Sequence, residues 1–423
     1  MRILTLESGF PPELTSSRIP YEFARSLAER GHEVIVATVP PRKHAVSTEE
    51  VGRPSPRKET VDGFLVLRLG VSPGGTSISA RIAEYFLVPL FLLGAGVKVP
   101  RPDVIHAGSP PLLVGLVAVF LGRLKQRPVV LRIQDVHPDA LIRLGLIKNR
   151  WLIRGLEFVE RFAYLNADKV AVVGETYRRH VLSRGTPEAA VTVIHNWMPS
   201  IPPTNGGGKE RGALGWDGKF VVTYAGTMSW PQDLETVVDA AGLVKEVPDI
   251  AFAFIGDGVL RPLLQERSAL KRLKNVEFLP LQSRDRYYRI LRASDVCLIS
   301  LKKTFDSPSI PSKAMDIMAC GRPILANVPL NGDLAILVDQ AQCGRAIEPG
   351  DPKAFAETVL KFHTDPESLR AWGENGRRYA EAHLSLNSCM DEYERLFAEV
   401  TSPAGPVPAI PSGSQRIDVR GGR

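Results

Sequence analysis

Short runs rich in β-branched residues alternate along the chain with longer stretches whose apolar residues recur every three or four positions. The short runs predict buried strands, and the longer stretches predict helices with one apolar face. In the first half, strands are predicted at residues 2–6, 33–38, 104–107, 129–133, 169–173 and 191–194, and helices at 17–30, 112–124, 150–165 and 175–184. This alternation is typical of a parallel sheet with helices on its faces.

The second half repeats the pattern after a break. Residues 199–208 read PSIPPTNGGG, and their Pro and Gly content without periodicity indicates a linker, placed at residues 199–212. Beyond the linker, strands are predicted at 220–225, 251–255, 276–279, 296–301, 324–328 and 344–347, and helices at 234–244, 261–273, 285–292, 312–320, 352–363, 366–383 and 386–401.

The predicted fold class is α/β, with two Rossmann-like doubly wound domains that face each other across a cleft. The N-terminal domain takes residues 1–198 and the C-terminal domain residues 213–384. A helix at 385–401 is expected to return to the first domain. The tail at 402–423, rich in Pro, Gly, Ser and Arg, has too little apolar surface to bury and is expected to be disordered.

Small residues follow several predicted strands, where ligands of open α/β sheets bind. Gly9, Gly226 and Gly256 each allow a backbone to approach a ligand closely. Gly256-Asp-Gly258 also resembles the opening of a GxGxxG dinucleotide fingerprint. However, Arg261 stands at the third glycine position, which disfavours an NAD-dependent oxidoreductase.

Positive charge is concentrated in the first half of the 423 residues. Residues 1–200 contain 26 Lys and Arg against 18 Asp and Glu, whereas the remainder contains 27 against 28. This distribution favours an anionic partner, either acidic lipid head groups or a phosphorylated acceptor. The basic residues are scattered, so nucleic acid is not an expected partner. The four cysteines are widely spaced without a CxxC pair, which indicates buried thiols in a reducing compartment and no zinc site.

The most apolar segment covers residues 85–97. Its 13 residues fall short of the roughly 20 needed to span a bilayer. Two interpretations remain open: a buried core helix, or a helix that contacts a membrane surface. The first seven residues become charged too quickly for a signal peptide, so no cleaved leader is expected.

A short predicted helix near residue 312 carries candidate binding chemistry. Pro311 and Ser312 suit the start of a helix, where unpaired backbone N–H groups favour an anion such as phosphate. Lys313 and Asp316, three positions apart, share one face of that helix. The pattern indicates either an ordinary surface Lys–Asp pair or a site for a charged, hydroxylated ligand.

Several motifs, taken in order, resemble the family 4 retaining glycosyltransferases of GT-B fold. Those of the donor domain are residues 256–258 (GDG), 275–278 (NVEF), 293–295 (ASD) and 312–325 (SKAMDIMACGRPIL). Residues 167–175 and 193–197 resemble the end of that family's N-terminal domain. Residues 103–111 (DVIHAGSPP) and 134–139 (QDVHPD) resemble its O-antigen, capsule and exopolysaccharide branch, similar to fucosamine transferases. The resemblance covers residues 1–400.

The resemblance implies a donor site in the second domain. Asp316 stands at the second Glu of the family's hallmark and is expected to bind the ribose hydroxyls, whereas Pro308 replaces the first Glu. Thr227 and Gln232 stand where many members carry Arg and Lys for the diphosphate. Lys313 is therefore the expected substitute cation, and the alternatives are Lys302, Lys303 and Arg322. The implied donor-binding residues are Gly9, Gly226, Thr227, Gln232, Gly256, Asp257, Ser309, Ile310, Ser312, Lys313 and Asp316.

An acceptor site is implied in the first domain. Gln134 stands at the family's usual active-site His, and Asp135, His137 and Asp139 follow it. These side chains are expected to orient or deprotonate an acceptor hydroxyl, although the two aspartates could equally cap the next helix. The implied acceptor-binding residues are Phe10, His106, Asp135 and Asp139, and the implied catalytic residues are Asp135, His137, Lys313 and Asp316.

The implied activity is retaining sugar transfer from a nucleotide diphosphate sugar, without a metal or other cofactor. The implied acceptor is a polyprenyl-diphosphate-linked glycan, so the protein is expected to be cytoplasmic or peripheral at the inner face of a membrane. Two alternatives stay open: a catalytically inactive nucleotide-sugar-binding scaffold of a polysaccharide assembly complex, and a nucleotide-sugar 2-epimerase.

Overall fold

The computed structural model describes residues 1–11, 18–40, 56–70, 78–109, 111–135, 147, 149–198, 207–304 and 310–402. Several positions named above lie outside the described residues: His137, Asp139, Pro308, Ser309 and the predicted tail from residue 403.

The first sheet comprises β1 (Arg2–Leu6), β2 (Glu33–Thr38), β3 (Arg57–Val61), β4 (Phe64–Arg68), β5 (Val104–Ser109), β6 (Val129–Ile133), β7 (Lys169–Val172) and β8 (Val191–Val193). Their order across the sheet is β3-β4-β2-β1-β5-β6-β7-β8, and every neighbouring pair is parallel except β3 with β4. Strand order reverses between β1 and β5. The carboxyl ends of these two strands therefore border the crevice where ligands of doubly wound sheets bind.

Helices cover both faces of this sheet. They are α1 (Arg18–Glu29), α2 (Ile78–Lys98), α3 (Leu112–Lys125), α4 (Arg150–Leu165) and α5 (Glu175–Ser183). The central strands β5 and β6 are buried along their whole length. That burial on both faces explains why they read as continuous apolar runs in the sequence.

The edge hairpin β3–β4 was not predicted. Its turn places Asp62 (φ 42°) and Gly63 (φ 85°) in the left-handed region, as a two-residue hairpin turn of type I′ requires. Strand β3 reads RKETV and is only partly buried. Because an edge strand needs no second apolar face, its sequence lacks the signal by which the central strands were found.

The second sheet comprises β9 (Phe220–Ala225), β10 (Ile250–Ile255), β11 (Val276–Leu279), β12 (Val296–Ser300), β13 (Ile324–Asn327) and β14 (Gly344–Ile347). The strands are parallel in the order β11-β10-β9-β12-β13-β14, with the reversal between β9 and β12. The accompanying helices are α6 (Gly207–Ala213), α7 (Leu234–Leu243), α8 (Arg261–Leu270), α9 (Arg284–Ala293), α10 (Ser312–Ala319), α11 (Asp333–Gln340), α12 (Pro352–His363) and α13 (Pro366–His383). The prediction of two Rossmann-like doubly wound domains is confirmed.

The predicted linker at residues 199–212 was too long. Helix α6 occupies its second part and packs on α9, where Glu210 pairs with Arg286 (2.8 Å) and Arg289 (3.0 Å). The two glycines that open α6 have low helix propensity, so they read as linker, and these contacts across the sequence decide the local structure. Helix α11 was also missed.

The chain returns to the first domain through a last helix, α14 (Leu386–Thr401). Its Tyr393 and Phe397 pack against Phe23 of α1, with ring centroids 5.0 Å and 6.4 Å apart. At the surface, Glu394 pairs with Arg30 (2.7 Å). The last helix thus connects the second domain to the apolar core beneath β1.

Helix α2 contains the apolar segment at residues 85–97 and has Pro89 in its interior. Val88, Leu92 and Ala95 are buried against the sheet. Phe86 and Leu90, in contrast, are 52% and 61% exposed. The segment therefore has one buried face and one exposed apolar face. Within the described residues, no helix combines the length and hydropathy needed to span a bilayer.

Candidate active site

Two glycine loops pack backbone against backbone beyond β9 and β10. A Cβ atom added to Gly256 would lie 2.2 Å from the carbonyl oxygen of Gly226, and one added to Gly258 would lie 2.2 Å from that of Met228. The Met228 N–H also donates to the Asp257 carbonyl oxygen (2.8 Å). Side chains larger than hydrogen are excluded at these glycines, so bare backbone forms the floor of the cleft on this side.

Lys313 brings a positive charge to this floor. Its Nζ lies 3.2 Å from the Tyr224 hydroxyl and 4.4 Å from the centre of that ring. A Cβ atom on Gly226 would lie 2.8 Å from Nζ. Burial lowers the pKa of Lys313 to about 8. Lys313 and Gly226, 87 positions apart in the sequence, are therefore direct neighbours.

Asp316 lies one turn further along α10 and binds two tyrosines. Its Oδ2 accepts a hydrogen bond from the Tyr287 hydroxyl and its Oδ1 one from the Tyr288 hydroxyl, both at 3.2 Å. Burial raises the pKa of Asp316, and these hydrogen bonds together with the charges of Arg284 and Arg18 oppose that rise. Asp316 and Lys313 do not form an ion pair with each other; each contacts tyrosine side chains instead.

Asp316 also marks the meeting of the two domains. Arg18 stands at the start of α1 in the first domain and acts electrostatically on Asp316 in the second. The Arg18 guanidinium is held by Glu22 (2.7 Å) and by the Trp197 carbonyl oxygen (3.4 Å). No sequence motif marks Arg18, because only the domain arrangement brings it to the site.

Three predicted donor residues help to hold the loops. Gln232 Oε1 accepts from the Ser229 N–H (2.9 Å) and hydroxyl (2.7 Å). The Thr227 carbonyl oxygen accepts from the Tyr224 hydroxyl (2.6 Å), and Asp257 Oδ1 accepts from the Gly258 N–H (2.8 Å). Thr227 and Gln232 are neutral, so neither can supply the charge that many family members place here.

Arg261, at the third glycine position of the GxGxxG pattern, has a structural role. Its guanidinium donates to the carbonyl oxygens of Gly256 and Leu279, the latter at 3.1 Å. The side chain therefore ties together the carboxyl ends of β10 and β11. A glycine at this position would leave those carbonyl groups without this partner.

The start of α10 is exposed to the cleft. Ser312 is its first residue and is exposed, and the preceding Pro311 caps it without a side-chain hydrogen bond. Ile310 is half-buried and packs on the core of the second domain. Lys302, one of the alternative phosphate cations, is less available to a ligand because it pairs with Glu235 at 3.3 Å.

In the first domain, a buried charged cluster lies beneath the cleft. Arg132 on β6 donates to Glu7 Oε1 (3.3 Å), and Thr5 donates to the same oxygen (3.1 Å). Both charged side chains are almost fully buried. Burial raises the pKa of Glu7, and the charge of Arg132 opposes that rise. The pair joins the ends of β1 and β6 just before Gly9 and Gln134.

His106 and Phe10 were predicted to contact the acceptor, and the structure places both side chains in the core of the first domain. His106 is fully buried, 2.8 Å from the Thr5 hydroxyl and stacked on Phe23 at 4.5 Å. Strand β5 extends two residues beyond its predicted end, so His106 lies in its middle. Phe10 is 1% exposed and packs on Phe64 with ring centroids 5.9 Å apart. Burial and Arg132 lower the pKa of His106 well below its usual value.

Asp135 lies at the cleft end of β6, half-buried. The preceding Gln134 donates to Asn196 Oδ1 (2.9 Å), and its carbonyl oxygen accepts from the Tyr177 hydroxyl (3.2 Å). Asn196 lies in the motif at residues 193–197, but neither that motif nor the sequence around Tyr177 indicated these contacts. The Gly9 backbone, beyond β1, is half-buried at the switch point of this sheet.

The chain matches two family profiles along most of its length. Residues 16–197 match the glycosyl transferase 4-like domain, and residues 208–379 match the glycosyl transferases group 1 domain. It is 28% identical to WbjE of Pseudomonas aeruginosa, named as a glycosyltransferase, over 67% of this chain and 71% of that protein. It is also 27% identical to WcaI of Escherichia coli K12, named as a colanic acid biosynthesis glycosyl transferase, over 93% and 98% of the respective chains.

Solved structures show the same fold. HepE from Anabaena in complex with UDP superposes with a TM-score of 0.67 at 16% identity, over 94% of this chain and all of HepE. WaaG, a glycosyltransferase involved in lipopolysaccharide biosynthesis, superposes with a TM-score of 0.60 at 16% identity, over 95% of this chain and all of WaaG. With both domains matched in order and the resemblance of its motifs confirmed, this chain belongs to the family 4 type of GT-B glycosyltransferases.

Proposed function

We propose that this glycosyltransferase moves a sugar from a nucleotide diphosphate sugar to a glycan acceptor during surface polysaccharide synthesis. Transfer proceeds with retention of anomeric configuration and without a metal or other cofactor. The observation that carries the proposal is the position of Lys313, whose Nζ lies beside the Gly226 backbone at the switch point of the second sheet. The named roles of WcaI and WbjE, and the UDP bound to HepE, support it.

The donor binds the second domain. Its diphosphate lies over the glycine floor at Gly226 and Gly256, within reach of Lys313 and of the first N–H groups of α10. A helix start favours an anion through its unpaired N–H groups and its dipole. Asp316 accepts hydrogen bonds from the ribose, because each of its oxygens has a second lone pair besides the one used by a tyrosine. Uridine diphosphate sugars are the first donors to test, since HepE was also solved with UDP-glucose.

The chemistry is a same-face displacement. The bond between the anomeric carbon and the β-phosphate oxygen breaks, and the acceptor oxygen forms its bond to the same carbon on the same face. The acceptor proton passes to the departing phosphate, whose growing negative charge is stabilised by Lys313. Because Thr227 and Gln232 are neutral, this lysine takes the part that many members give to an Arg and a Lys.

The acceptor binds the first domain near Asp135, at the end of β6. Asp135 orients the attacking hydroxyl, and His137 and Asp139 are proposed to assist it. The polyprenyl-diphosphate-linked acceptor is proposed from the motif resemblance to the O-antigen and exopolysaccharide branch. With such an acceptor, the enzyme works in the cytoplasm at the inner face of a membrane.

Donor binding can be tested directly by thermal unfolding with UDP, GDP, CMP and TDP. A nucleotide at about 100 times its dissociation constant stabilises the folded protein by about 2.7 kcal/mol. We expect UDP to stabilise the wild-type protein and Lys313→Met to weaken UDP binding by about 10- to 100-fold, because a charge-assisted contact contributes about 1.5–3 kcal/mol. Radiolabelled UDP-sugars with a membrane glycolipid extract then report transfer.

The matched control is Lys245→Met, which removes an exposed lysine of the same domain. Unchanged UDP affinity and turnover in Lys313→Met would contradict the proposed donor site. A free altered sugar formed without acceptor would indicate the 2-epimerase instead. Tight donor binding without turnover on any acceptor would indicate the inactive scaffold.

A further inference from the structure

Three neighbouring helices of the first domain expose large apolar side chains. Helix α3 packs between α2 and α4 on one face of the sheet. The exposed apolar residues on these helices include Phe86 and Leu90 of α2, Phe120 of α3, and Trp151, Phe158 and Leu165 of α4. Trp151 is 79% and Phe158 70% exposed. Monomeric soluble proteins rarely expose apolar residues in such a continuous patch, which marks an interaction surface.

Helix α4 has two apolar faces, and the fold uses one. Leu156, Ala163 and Tyr164 are buried against the domain. Trp151, Phe158 and Leu165 follow each other at intervals of seven residues, which is two helical turns, so they form one stripe along the outside. An outer stripe of this kind has no role in folding the domain. It is available for a partner outside the chain.

The groove between α2 and α3 extends the same surface. Phe86, Leu90 and Phe120 line it, and its walls are almost wholly apolar apart from Arg123. The apolar surface therefore reaches across all three helices. We call these six exposed residues, Phe86, Leu90, Phe120, Trp151, Phe158 and Leu165, the apolar face.

Positive charges surround the apolar face. From residue 85 of α2 and throughout α3 and α4, the basic residues are Lys98, Arg123, Lys125, Arg150, Arg154 and Arg161, and none forms an ion pair with a carboxylate among the described residues. Arg123 and Arg154 lie over aromatic rings of the surface, Phe162 at 5.4 Å and Trp151 at 5.5 Å. Such long side chains can keep their charge at a polar boundary while their stems cover apolar surface.

Acidic groups are scarce on the same helices. From residue 85 to the end of α2 and throughout α3 there is none, and α4 carries Glu157 and Glu160. Glu160 is fully buried and paired with Arg184 (2.8 Å), which also lies 3.6 Å from Glu157. The surface that a partner meets is therefore apolar at its centre and positive at its rim.

An apolar centre with a positive rim favours one kind of partner. A second copy docked through the same face would bring the two basic rims together, because a twofold interface places each patch against itself. An anionic lipid bilayer offers the opposite: apolar chains for the centre and negative head groups for the rim. We infer that the apolar face docks on an anionic membrane surface.

The orientation of α4 connects this surface to the active site. As the crossover helix between the parallel strands β6 and β7, α4 begins at the same edge of the sheet where β6 ends and Asp135 lies. Trp151, in the first turn of α4, is therefore at the cleft end of the apolar face. Docking would hold the acceptor half of the cleft against the bilayer, which rests on the proposed function of transfer to a lipid-linked acceptor.

The test is co-sedimentation of the full-length protein with vesicles of phosphatidylcholine alone and with 30% phosphatidylglycerol, at low and high salt. We expect binding to the anionic vesicles at low salt. The variant Trp151→Ser/Phe158→Ser should reduce the partition coefficient on the order of tenfold or more, since two large apolar side chains are lost. Arg154→Glu/Arg161→Glu should also reduce it and remove most of its salt dependence.

Matched controls lie on the second domain. Leu270→Ser removes an apolar side chain that is 78% exposed, and Arg370→Glu reverses an exposed charge; both should bind vesicles like the wild type. UDP binding should be unchanged in every one of these variants, so a failure here is distinguishable from a failure of the proposed donor site. No vesicle binding, or equal binding by Trp151→Ser/Phe158→Ser, would overturn the inference. A dimer that this variant converts to a monomer, without vesicle binding, would likewise overturn it.

Discussion

The carboxylate of Asp333, in the second domain, accepts a hydrogen bond of 2.7 Å from the backbone N–H of Thr176, in the first. Helix α5 begins after Gly174 and has no side-chain cap from its own domain. A Cβ atom on Gly174 would lie 2.1 Å from Asp333 Oδ2. Asp333 is also the first residue of α11. This carboxylate therefore caps the start of α5 from the other domain, and its negative charge also lies in the first turn of α11.

Loss of this cap should weaken the contact between the domains. We expect Asp333→Ala to lower the free energy of unfolding by about 1 kcal/mol, the usual contribution of a helix cap. Urea unfolding measures the change. Asp339→Ala, at an exposed position of the same helix, is the control and should leave stability within about 0.5 kcal/mol of wild type. Equal stability of the two variants would show that the contact between Asp333 and Thr176 contributes nothing.

Nucleotide affinity should depend on pH through Lys313. Because burial lowers its pKa to about 8, Lys313 is charged below that pH in the free enzyme and neutral above it. A bound diphosphate favours the charged form, so binding above pH 8 must take up a proton. Calorimetric titration with UDP should show constant affinity from pH 6.5 to 7.5 and a decrease approaching about tenfold per pH unit above 8. The UDP affinity of Lys313→Met should not decrease above pH 8. If the decrease persisted in that variant, another titratable group would be responsible for it.

Asp316 should discriminate nucleotides by their ribose hydroxyls. We expect wild type to bind UDP more tightly than 2′-deoxy-UDP or 3′-deoxy-UDP, by roughly tenfold for the hydroxyl that Asp316 contacts. Asp316→Ala should bind all three equally and lose activity. Asp285→Ala, at an exposed position on α9, should retain the preference. If Asp316→Ala kept the preference together with full activity, Asp316 would be a structural partner of Tyr287 and Tyr288 alone.

Removing only Arg132 from the buried pair of Glu7 and Arg132 should destabilise the protein strongly, whereas replacing both residues should destabilise it much less. Arg132→Met leaves the Glu7 carboxylate buried without its cation, and we expect a loss of about 3–5 kcal/mol in the free energy of unfolding. Adding Glu7→Gln removes the unpaired charge and should restore most of that loss. Chemical denaturation of both variants measures the difference. Equal stability of the single and the double variant would show that Glu7 is already neutral in the folded protein.

Much of the fold was accessible from local pattern. Strands β1, β2, β6, β9, β11 and β14 lie at their predicted bounds. Because central strands are buried on both faces, they are continuously apolar, and such a run in the sequence identifies a central strand. Edge strand β3 was missed because it has no continuous apolar run, and helix α6 was missed because its packing on α9 decides its structure. Helix α11 was also missed.

The candidate site was predictable only in part. Gly226, Gly256 and Lys313 could be expected near one another, since the carboxyl ends of neighbouring parallel strands share one edge of the sheet. The hydroxyl groups of Tyr287 and Tyr288 at Asp316 could not, because they depend on how α9 packs beside α10. The burial of His106 was not predictable for a related reason: Tyr393 and Phe397 of the returning helix α14 pack on it, and nothing near His106 in the sequence indicates that.

Local sequence determined the two α/β domains, their parallel order and the residue types available to the cleft, because hydrophobic period and turn residues act over a few positions. Tertiary structure decided which of those residues meet. It set Lys313 beside Gly226, placed Asp333 on the start of a helix in the other domain, and gathered the exposed apolar residues of three helices onto one surface. Such juxtapositions depend on the relative placement of whole elements, which is fixed by packing between residues far apart in the chain.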